Sequence, residues 1–399
     1  MRIAIIGGGA AGALTAIHLR QAGVDDVTVY DPAERVGPGV AYAPGSPAYR
    51  LNVPAARLSV DPAHPADFAE FAQIEWTAFA PRDVYGEYLH RRFAQSGARH
   101  TRATVERLTE LTSDAHTGII LALGAGPPRW PHPMPIAPAN RLDSVWHAAA
   151  VQRIPADSAV AILGTGLSMM DATLQLLQQG HAGPITAISR TGRLPMPHGP
   201  AEPVSYNGEN VFAFLRGAAA DGNWRGRMDA LRPVTQRMWQ RMSWPQRRQW
   251  LGHARSLWDR YRHRSPADAH AEVTAAISTG RVRIVTGDVR RPNPVLAESL
   301  RTADLLLNAS GPDYHLASRN LPVINSLLAT TDAAYDPLGM GLMVDDDGRV
   351  LGAQSERGPG VWTLGALAVG CRWETTAIPE IRAQAMRIAE LLADSPSRE

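Results

Sequence analysis

The sequence predicts an α/β fold made of two similar units with parallel sheets, because one pattern occurs twice. In each case a short run of β-forming residues leads into a glycine-rich turn and then into a helical pattern. The first copy starts at Arg2, and the second starts at Ala159. Strand, turn and helix repeats of this kind are typical of folds in which parallel strands alternate with helices.

Composition limits the chemistry that such a fold can carry. The 399 residues are 45% hydrophobic, and no apolar run approaches the ~18 residues of a membrane span, which predicts a soluble globular protein. All 40 basic residues are arginine, which excludes lysine Schiff bases, lysine nucleophiles and Walker-type phosphate loops. The single cysteine, Cys371, excludes an internal disulfide and a redox C-x-x-C pair. Any electron chemistry therefore requires a bound cofactor.

In the first copy, Gly7, Gly9 and Gly12 have the G-x-G-x-x-G spacing of a dinucleotide-binding turn. The first glycine permits the tight turn, the second lets the backbone approach a pyrophosphate, and the third lets the helix pack on the strand. The next strand ends at Asp31, where an acid can accept hydrogen bonds from a ribose. The contacts predicted for this unit are Gly7, Gly9, Ala10, Ala11, Gly12, Asp31 and Pro32.

The second copy departs from the pattern at two places. Met169 replaces the third glycine, and the following strand ends in Ser189 and Arg190 where an NAD-specific fold has an acid. Guanidinium groups suit a 2′-phosphate, so NADPH is favoured, with NADH as the alternative and a plain surface role for the arginines as another. The contacts predicted here are Gly164, Gly166, Leu167, Ser168, Ser189, Arg190 and Arg193.

Two further strand-like segments end at glycines, residues 118–124 and 303–311. In two-dinucleotide flavoproteins such segments mark where the chain crosses between the FAD and NAD(P) domains. The predicted organisation is glutathione-reductase-like, with two Rossmann-like domains and the NAD(P) domain inserted into the FAD domain. The expected divisions are an FAD-binding domain at 1–150, an NAD(P)H-binding domain at 151–310 with a helical Arg/Trp-rich insertion at about 205–270, and a return to the FAD domain at 311–399.

The chain resembles the FAD/NAD(P)-binding family that includes FAD-dependent urate hydroxylases and nitrosuccinate-forming, amino-acid N-oxidising monooxygenases. Besides the glycine turns, the resemblance rests on Gly39–Tyr42, Leu51–Pro54, Pro81–Tyr88, Ser189–Arg190, Tyr261–Arg264 and Gly370–Arg382. In that family the stretch matching Leu51–Val53 lies beside the isoalloxazine ring. The helix matching Thr375 onward points its N-terminus at the flavin, where it stabilises the negative charge of the reduced ring.

The resemblance implies a catalytic environment made by Asn52, Thr375 and Thr376. Related proteins have an acid after the last flavin-site glycine, whereas Ala366 follows Gly365 here. Candidate contacts to the substrate or to NADPH are Arg82, Tyr85, His263 and Arg264, with a purely structural role as the alternative for each. The further cofactor contacts expected are Tyr42, Leu51, Asn52, Val105, Leu123, Gly124, Gly311, Gly365, Ala366, Thr375 and Thr376.

Residues 225–264 contain eleven arginines against two aspartates, a net charge of 11 − 2 = +9, with tryptophans interleaved. Aromatic residues among cations also hold single-stranded nucleic acids, but a buried aromatic stripe with arginines over the rings is the simpler interpretation. A third alternative is that the arginines attract an anionic substrate.

The leading hypothesis is a cytoplasmic FAD-dependent, NADPH-consuming monooxygenase. It would act through a flavin C4a-hydroperoxide on a small, polar or anionic molecule, with molecular oxygen as the second substrate. The alternatives are a flavin-dependent reductase or dehydrogenase without oxygen insertion, and an FAD-binding scaffold with a basic partner-binding region. No H-E-x-x-H or G-x-S-x-G motif occurs, so a metal site or a hydrolase is not expected. The oligomeric state stays open.

Overall fold

A computed structural model describes residues 1–43, 45–112, 118–352 and 357–394. The chain divides into two compact units. The first unit comprises Met1–Gly45, Val53–Gly126 and Asp313–Glu399, and the second comprises Ser46–Asn52 and Pro127–Pro312. This division is based on packing and does not identify nucleotide-binding roles. The FAD-binding domain expected at 1–150 and 311–399 and the NAD(P)H-binding domain expected at 151–310 therefore stay a prediction.

The secondary structure alternates strands and helices along the chain. The strands are β1 (Arg2–Ile6), β2 (Asp26–Tyr30), β3 (Arg99–Thr101), β4 (Gly118–Leu121), β5 (Asn140–Leu142), β6 (Val160–Leu163), β7 (Ile185–Ser189), β8 (Val282–Thr286), β9 (Leu305–Asn308), β10 (Arg349–Leu351) and β11 (Arg357–Thr363). The helices are α1 (Ala10–Gln21), α2 (Asp67–Ala72), α3 (Arg82–Ser96), α4 (Thr109–Thr112), α5 (Ala148–Gln152), α6 (Leu167–Gln178), α7 (Val211–Arg216), α8 (Ala218–Asp221), α9 (Trp224–Arg241), α10 (Trp244–His253), α11 (Arg255–Arg262), α12 (Ala267–Ser278), α13 (Pro294–Arg301), α14 (Pro322–Thr330) and α15 (Ile378–Ala393).

The first unit is built on a six-stranded sheet with the order β10-β11-β4-β1-β2-β3. Every neighbouring pair is parallel except β10 and β11, which are antiparallel. Helix α1 packs against both α3 and α15. The apolar run Ile3–Ile6 is buried because β1 lies at the centre of this sheet, as expected for a parallel strand covered on both faces.

The second unit has a five-stranded, all-parallel sheet with the order β5-β9-β6-β7-β8. Helices α5, α6 and α12 contribute to a buried cluster with the sheet, and residues of α13 contribute to a second cluster. The segment Ser46–Asn52 belongs to this unit because Tyr49 is buried in the first cluster and its hydroxyl donates to the Val145 carbonyl at 2.6 Å. Helices α7–α11 form the insertion, and the predicted fold class is confirmed.

Candidate functional site

The glycine turn after β1 contains two glycines that the folded chain itself requires. Gly7 has a φ of +107°, and a Cβ there would lie 2.4 Å from the Ala122 carbonyl oxygen. A Cβ on Gly12 would lie 1.9 Å from the Gly7 carbonyl oxygen. Both distances are far inside van der Waals contact, so these positions fix how closely α1 and β4 approach the turn.

Gly9 is different, because nothing in the chain requires a glycine there. Its φ is −72°, and an added Cβ would meet no atom closer than the Gly39 Cα at 3.7 Å. Helix α1 starts directly after it without a side-chain cap and without an acidic residue in its first turn. The N–H groups of an uncapped helix N-terminus can bind a phosphate, and a glycine without a side chain lets the phosphate come close to them. This turn therefore fits the pyrophosphate of a dinucleotide.

The turn after β6 in the second unit repeats this geometry. Gly164 has a φ of +115°, and a Cβ there would lie 2.3 Å from the Ala309 carbonyl oxygen. Gly166 has a φ of −86°, and no atom lies within 4 Å of a Cβ added there. Helix α6 also begins without a side-chain cap or an early acidic residue. This turn therefore fits a second pyrophosphate.

Met169 stands where the third glycine of the second turn is missing. Its side chain is buried in the core of the second unit, and the Thr173 hydroxyl donates to its sulfur at 3.3 Å. The substitution therefore changes the packing beneath α6 and leaves the exposed end of the turn open.

The carboxylate of Asp31 lies at the carboxyl end of β2 and is held by the glycine turn. It accepts hydrogen bonds from the Gly8 N–H at 2.6 Å and from the Ala33 N–H at 2.8 Å. The side chain is half-buried, and the neighbouring Pro32 is exposed. An acceptor fixed at this position suits the ribose hydroxyls of a bound dinucleotide.

Arginines replace the acid at the corresponding end of β7. Arg190 and Arg193 are both exposed, and Thr165 donates to the Arg193 carbonyl at 2.8 Å. The nearby Asp288 is paired with Arg290 at 2.7 Å, and that hydrogen bonding lowers the pKa of Asp288 to about 2. The negative charge of Asp288 is thus already balanced by Arg290.

Around the predicted last flavin motif, one side chain ties two expected contacts together. The Gln384 Oε1 accepts from the Gly365 N–H at 3.2 Å and from the Thr375 hydroxyl at 2.8 Å. Its amide donates to the carbonyls of Thr375 and Glu380 at 3.1 and 2.8 Å. The sequence motifs did not indicate Gln384, because it lies outside them and contacts residues 9 and 19 positions earlier in the chain.

Helix α15 begins later than the resemblance implied. Its first residue is Ile378, with Pro379 in the first turn, so Thr375 and Thr376 precede the helix instead of opening it. Proline suits the first turn because its missing N–H has no partner to lose there. Thr375 is buried and Thr376 is exposed.

The remaining expected flavin contacts are divided between the two units. Tyr42, Val105, Leu123, Gly124, Gly365 and Ala366 lie in the first unit, and Leu51, Asn52 and Gly311 lie in the second. Gly124, Gly311 and Gly365 all have positive φ values. Asn52 accepts a hydrogen bond at its carbonyl from the Nε2 of His198 at 3.0 Å. Each of these assignments stays a prediction.

The candidate substrate contacts are well packed. Tyr85 is fully buried among Tyr42, Phe68 and Tyr88, and burial raises its pKa well above the usual value. Arg82 is also buried. The buried guanidinium of Arg264 donates to both carboxylate oxygens of Asp229 at 3.1 and 3.0 Å. Of the four candidates, His263 is the most accessible: it is half-buried, and its Nδ1 lies 3.5 Å from an Asp259 carboxylate oxygen.

Arginines and tryptophans of the insertion pack on one another. Arg247 is buried, with its guanidinium carbon 4.2 Å from the Trp244 ring centre and 5.3 Å from that of Trp239. Arg264 and Arg225 both lie over Trp224. Much of the basic charge in this region is thus used in folding the insertion.

Because several histidines are at least partly buried, we expect the free energy of unfolding to fall in mild acid. Burial lowers the pKa values of His18 and His198 below the usual 6.5. Below that pH these histidines bind protons in the unfolded chain but stay neutral in the folded chain. The free energy of unfolding therefore decreases as the pH falls towards the folded pKa values. Urea unfolding at pH values of about 7.5, 6.5 and 5.5 measures this slope.

A His18→Gln variant provides the control, because it removes one of the four histidines whose pKa values burial lowers, the others being His181, His198 and His270. Its unfolding free energy should depend less steeply on pH than that of the wild type. The exposed His64 works in the opposite direction, since its hydrogen bond to Asp61 raises its pKa. An unfolding free energy that is flat or rises as the pH falls over this interval contradicts the prediction.

Within the part of the chain that the structure describes, none of the helices has both the length and the apolar character needed to cross a membrane. Among the same residues, no group of three or more His, Cys, Asp or Glu side chains is arranged to hold a metal ion.

The chain is similar to known proteins in part of its sequence and in its fold. Residues 4–123 match the FAD-NAD(P)-binding family. No curated protein sequence matches the chain. Among solved structures, the ornithine N-hydroxylase of Kutzneria sp. 744 is similar with a TM-score of 0.60 at 13% identity, over 98% of both chains.

Two further structures are similar over almost their whole length. The L-lysine 6-monooxygenase of Pseudomonas syringae has a TM-score of 0.62 at 15% identity, covering 98% of this chain and 99% of its own. The bacillithiol disulfide reductase of Bacillus cereus has a TM-score of 0.54 at 13% identity, covering 100% and 99%. At identities this low, the structural similarity establishes a shared fold and nothing more. The chain therefore shares the fold of these three proteins, and its residues 4–123 match the FAD-NAD(P)-binding family.

Proposed function

We propose that this protein is an FAD-dependent, NADPH-consuming monooxygenase that hydroxylates or N-oxidises a small, polar or anionic molecule. The observation that carries the proposal is the pair of uncapped helix N-termini, α1 and α6, each preceded by a glycine that the chain itself does not require. Two such sites in one chain suit two dinucleotides. The similar folds of the ornithine and lysine hydroxylases support oxygenation as the reaction.

The residues of the first unit would hold FAD. The N–H groups at the start of α1 would bind its pyrophosphate, and Asp31 would accept hydrogen bonds from its ribose. Gln384 would fix the positions of Gly365 and Thr375 beside the ring system. When bound, FAD supplies the capacity to take a hydride from NADPH and to activate oxygen.

The residues of the second unit would hold NADPH. The N–H groups at the start of α6 would bind the pyrophosphate, and the exposed Arg190 and Arg193 would bind the 2′-phosphate. The carbonyl of Asn52 is fixed by His198, whose lowered pKa favours the neutral ring at pH 7. That hydrogen bond would hold the backbone of residues 51 and 52 in place without adding charge.

A flavin reductase without oxygen insertion is the second candidate, favoured by the fold shared with the bacillithiol disulfide reductase. A dithiol within this chain cannot take part, because Cys371 is the one cysteine in the sequence. Its thiol is buried and lies 3.6 Å from the Leu342 carbonyl. The reductase alternative would therefore pass electrons from the flavin directly to an external acceptor.

The deciding experiment is aerobic NADPH oxidation by the FAD-loaded protein, alone and with a panel of amino acids, purines and aromatic acids. Hydrogen peroxide is measured in parallel. The masses of the products are determined by mass spectrometry after reaction under isotope-labelled molecular oxygen. We expect one compound to accelerate NADPH consumption without a matching rise in peroxide and to gain one oxygen atom.

Two other outcomes contradict the proposal in different ways. Rapid reduction of an artificial acceptor, with no oxygen gained by any compound, supports the reductase alternative. Failure to retain FAD, or anaerobic NADPH that leaves the flavin oxidised, removes both redox functions and favours a scaffold role.

A further inference from the structure

The two glycine turns are linked to their neighbouring strands by different chemistry. In the first unit, the strand registers align Ile6 with Tyr30, so Asp31 follows directly and its carboxylate accepts from the Gly8 N–H. In the second unit, Leu163 aligns with Ile188, so Ser189 occupies the place of Asp31. The counterpart of Gly8 is Thr165, the middle residue of the second glycine turn.

A chain of three hydrogen bonds replaces the carboxylate contact in the second unit. The Gly192 N–H lies 3.0 Å from the Ser189 Oγ, and the Ser189 Oγ lies 2.8 Å from the Thr165 Oγ1. The Thr165 hydroxyl donates to the Arg193 carbonyl at 2.8 Å. Each hydroxyl thus donates once and accepts once, so a single proton arrangement satisfies the whole chain.

Thr165 is the centre of this chain and is only 6% exposed. Its hydroxyl fixes the backbone of Arg193, while Ser189 fixes that of Gly192, which has a φ of +63°. This chain of hydrogen bonds is formed by neutral hydroxyl groups, whereas the corresponding contact in the first unit is made by the negatively charged carboxylate of Asp31. A negative group at this strand end would repel a phosphate, whereas the two neutral hydroxyls of Thr165 and Ser189 would not.

We propose that Thr165 is a positioning residue that sets the preference of this protein for nicotinamide cofactors bearing a 2′-phosphate. It acts through the backbone of Arg193, which it holds so that the exposed guanidinium is presented at the end of β7. The inference rests on the proposed assignment of the second unit to NADPH. It adds a determinant of selectivity that lies inside the glycine turn, away from the arginines themselves.

The test is calorimetric titration of the FAD-loaded full-length protein with NADP⁺ and with NAD⁺. Three variants are compared with the wild type: Thr165→Val, which keeps the shape but loses the hydroxyl, Thr165→Ser, which keeps the hydroxyl, and Arg193→Ala. We expect Thr165→Val to weaken NADP⁺ binding about tenfold and NAD⁺ binding less than about twofold. Thr165→Ser should retain the preference of the wild type.

The double variant Thr165→Val/Arg193→Ala separates positioning from general damage. If Thr165 acts through Arg193, the double variant should bind NADP⁺ no more weakly than Arg193→Ala alone, because both changes remove one interaction. Additive losses, equal losses for NADP⁺ and NAD⁺, or an unchanged preference in Thr165→Val would each overturn the inference. Binding requires no turnover, so a protein that fails to oxygenate any substrate still reports on Thr165.

Discussion

Replacing Gly9 with alanine is expected to leave the protein folded and to weaken FAD binding about 100-fold, or about 2.8 kcal/mol. The folded chain accommodates the extra methyl group, whose nearest neighbour would be the Gly39 Cα at 3.7 Å. The methyl group would instead occupy the space that a pyrophosphate needs beside the first N–H groups of α1. Fluorescence titration of the FAD-free protein with FAD measures the loss, and thermal unfolding without FAD shows that the fold is retained.

Gly166→Ala and Gly252→Ala are the matched controls. No atom lies within 4 Å of a Cβ added at either position, so both variants should fold. Gly166→Ala should retain FAD but show weakened NADP⁺ binding, whereas Gly252→Ala, in α10, should bind both cofactors normally. If Gly9→Ala binds FAD as tightly as the wild type, the turn after β1 is not the pyrophosphate site.

Replacing Gly12 with alanine is expected to destabilise the fold itself by at least about 4 kcal/mol, a large part of the stability of an ordinary domain. The added Cβ would lie 1.9 Å from the Gly7 carbonyl oxygen, so α1 would have to move away from β1. Because the backbone fixes the position of a Cβ atom, no change of rotamer relieves this contact with the carbonyl oxygen. Urea unfolding of the FAD-free protein measures the loss as a lower midpoint or as failure to accumulate folded protein.

Gly9→Ala is also the control for this second prediction, since it introduces the same methyl group three residues earlier in the same turn. A Gly12→Ala protein with wild-type stability and weak FAD binding would show that the third glycine serves the cofactor. The two predictions thus separate a glycine required by the fold from one required by the cofactor.

The sequence predicted the fold well where local pattern and backbone geometry coincide. Gly7 and Gly164 adopt the positive φ values that their turns require, and the apolar run at Ile3–Ile6 became a central strand. These features depend on neighbours in the chain, which periodicity and spacing reveal. The alternation of strands and helices follows from the same local signals.

Other features depend on partners distant in sequence and could not be foreseen. Gln384 reaches Thr375 and Gly365 from the next helix, and Thr165 meets Arg193 across a strand end. The segment Ser46–Asn52 packs in the second unit although the flanking chain belongs to the first. Side-chain hydrogen bonds and packing between remote segments leave no periodic trace in a sequence.

The strands at the borders of the two sheets have a consequence for self-association. Three of these border strands, β3, β5 and β10, are only three residues long, and the fourth, β8, carries the exposed Arg283. Short or charged borders give another molecule too few unpaired backbone groups to add a strand. Parallel sheets form slowly during folding, so chains that are still folding would otherwise be exposed to aggregation at these borders. The borders of the two sheets thus oppose aggregation by strand addition.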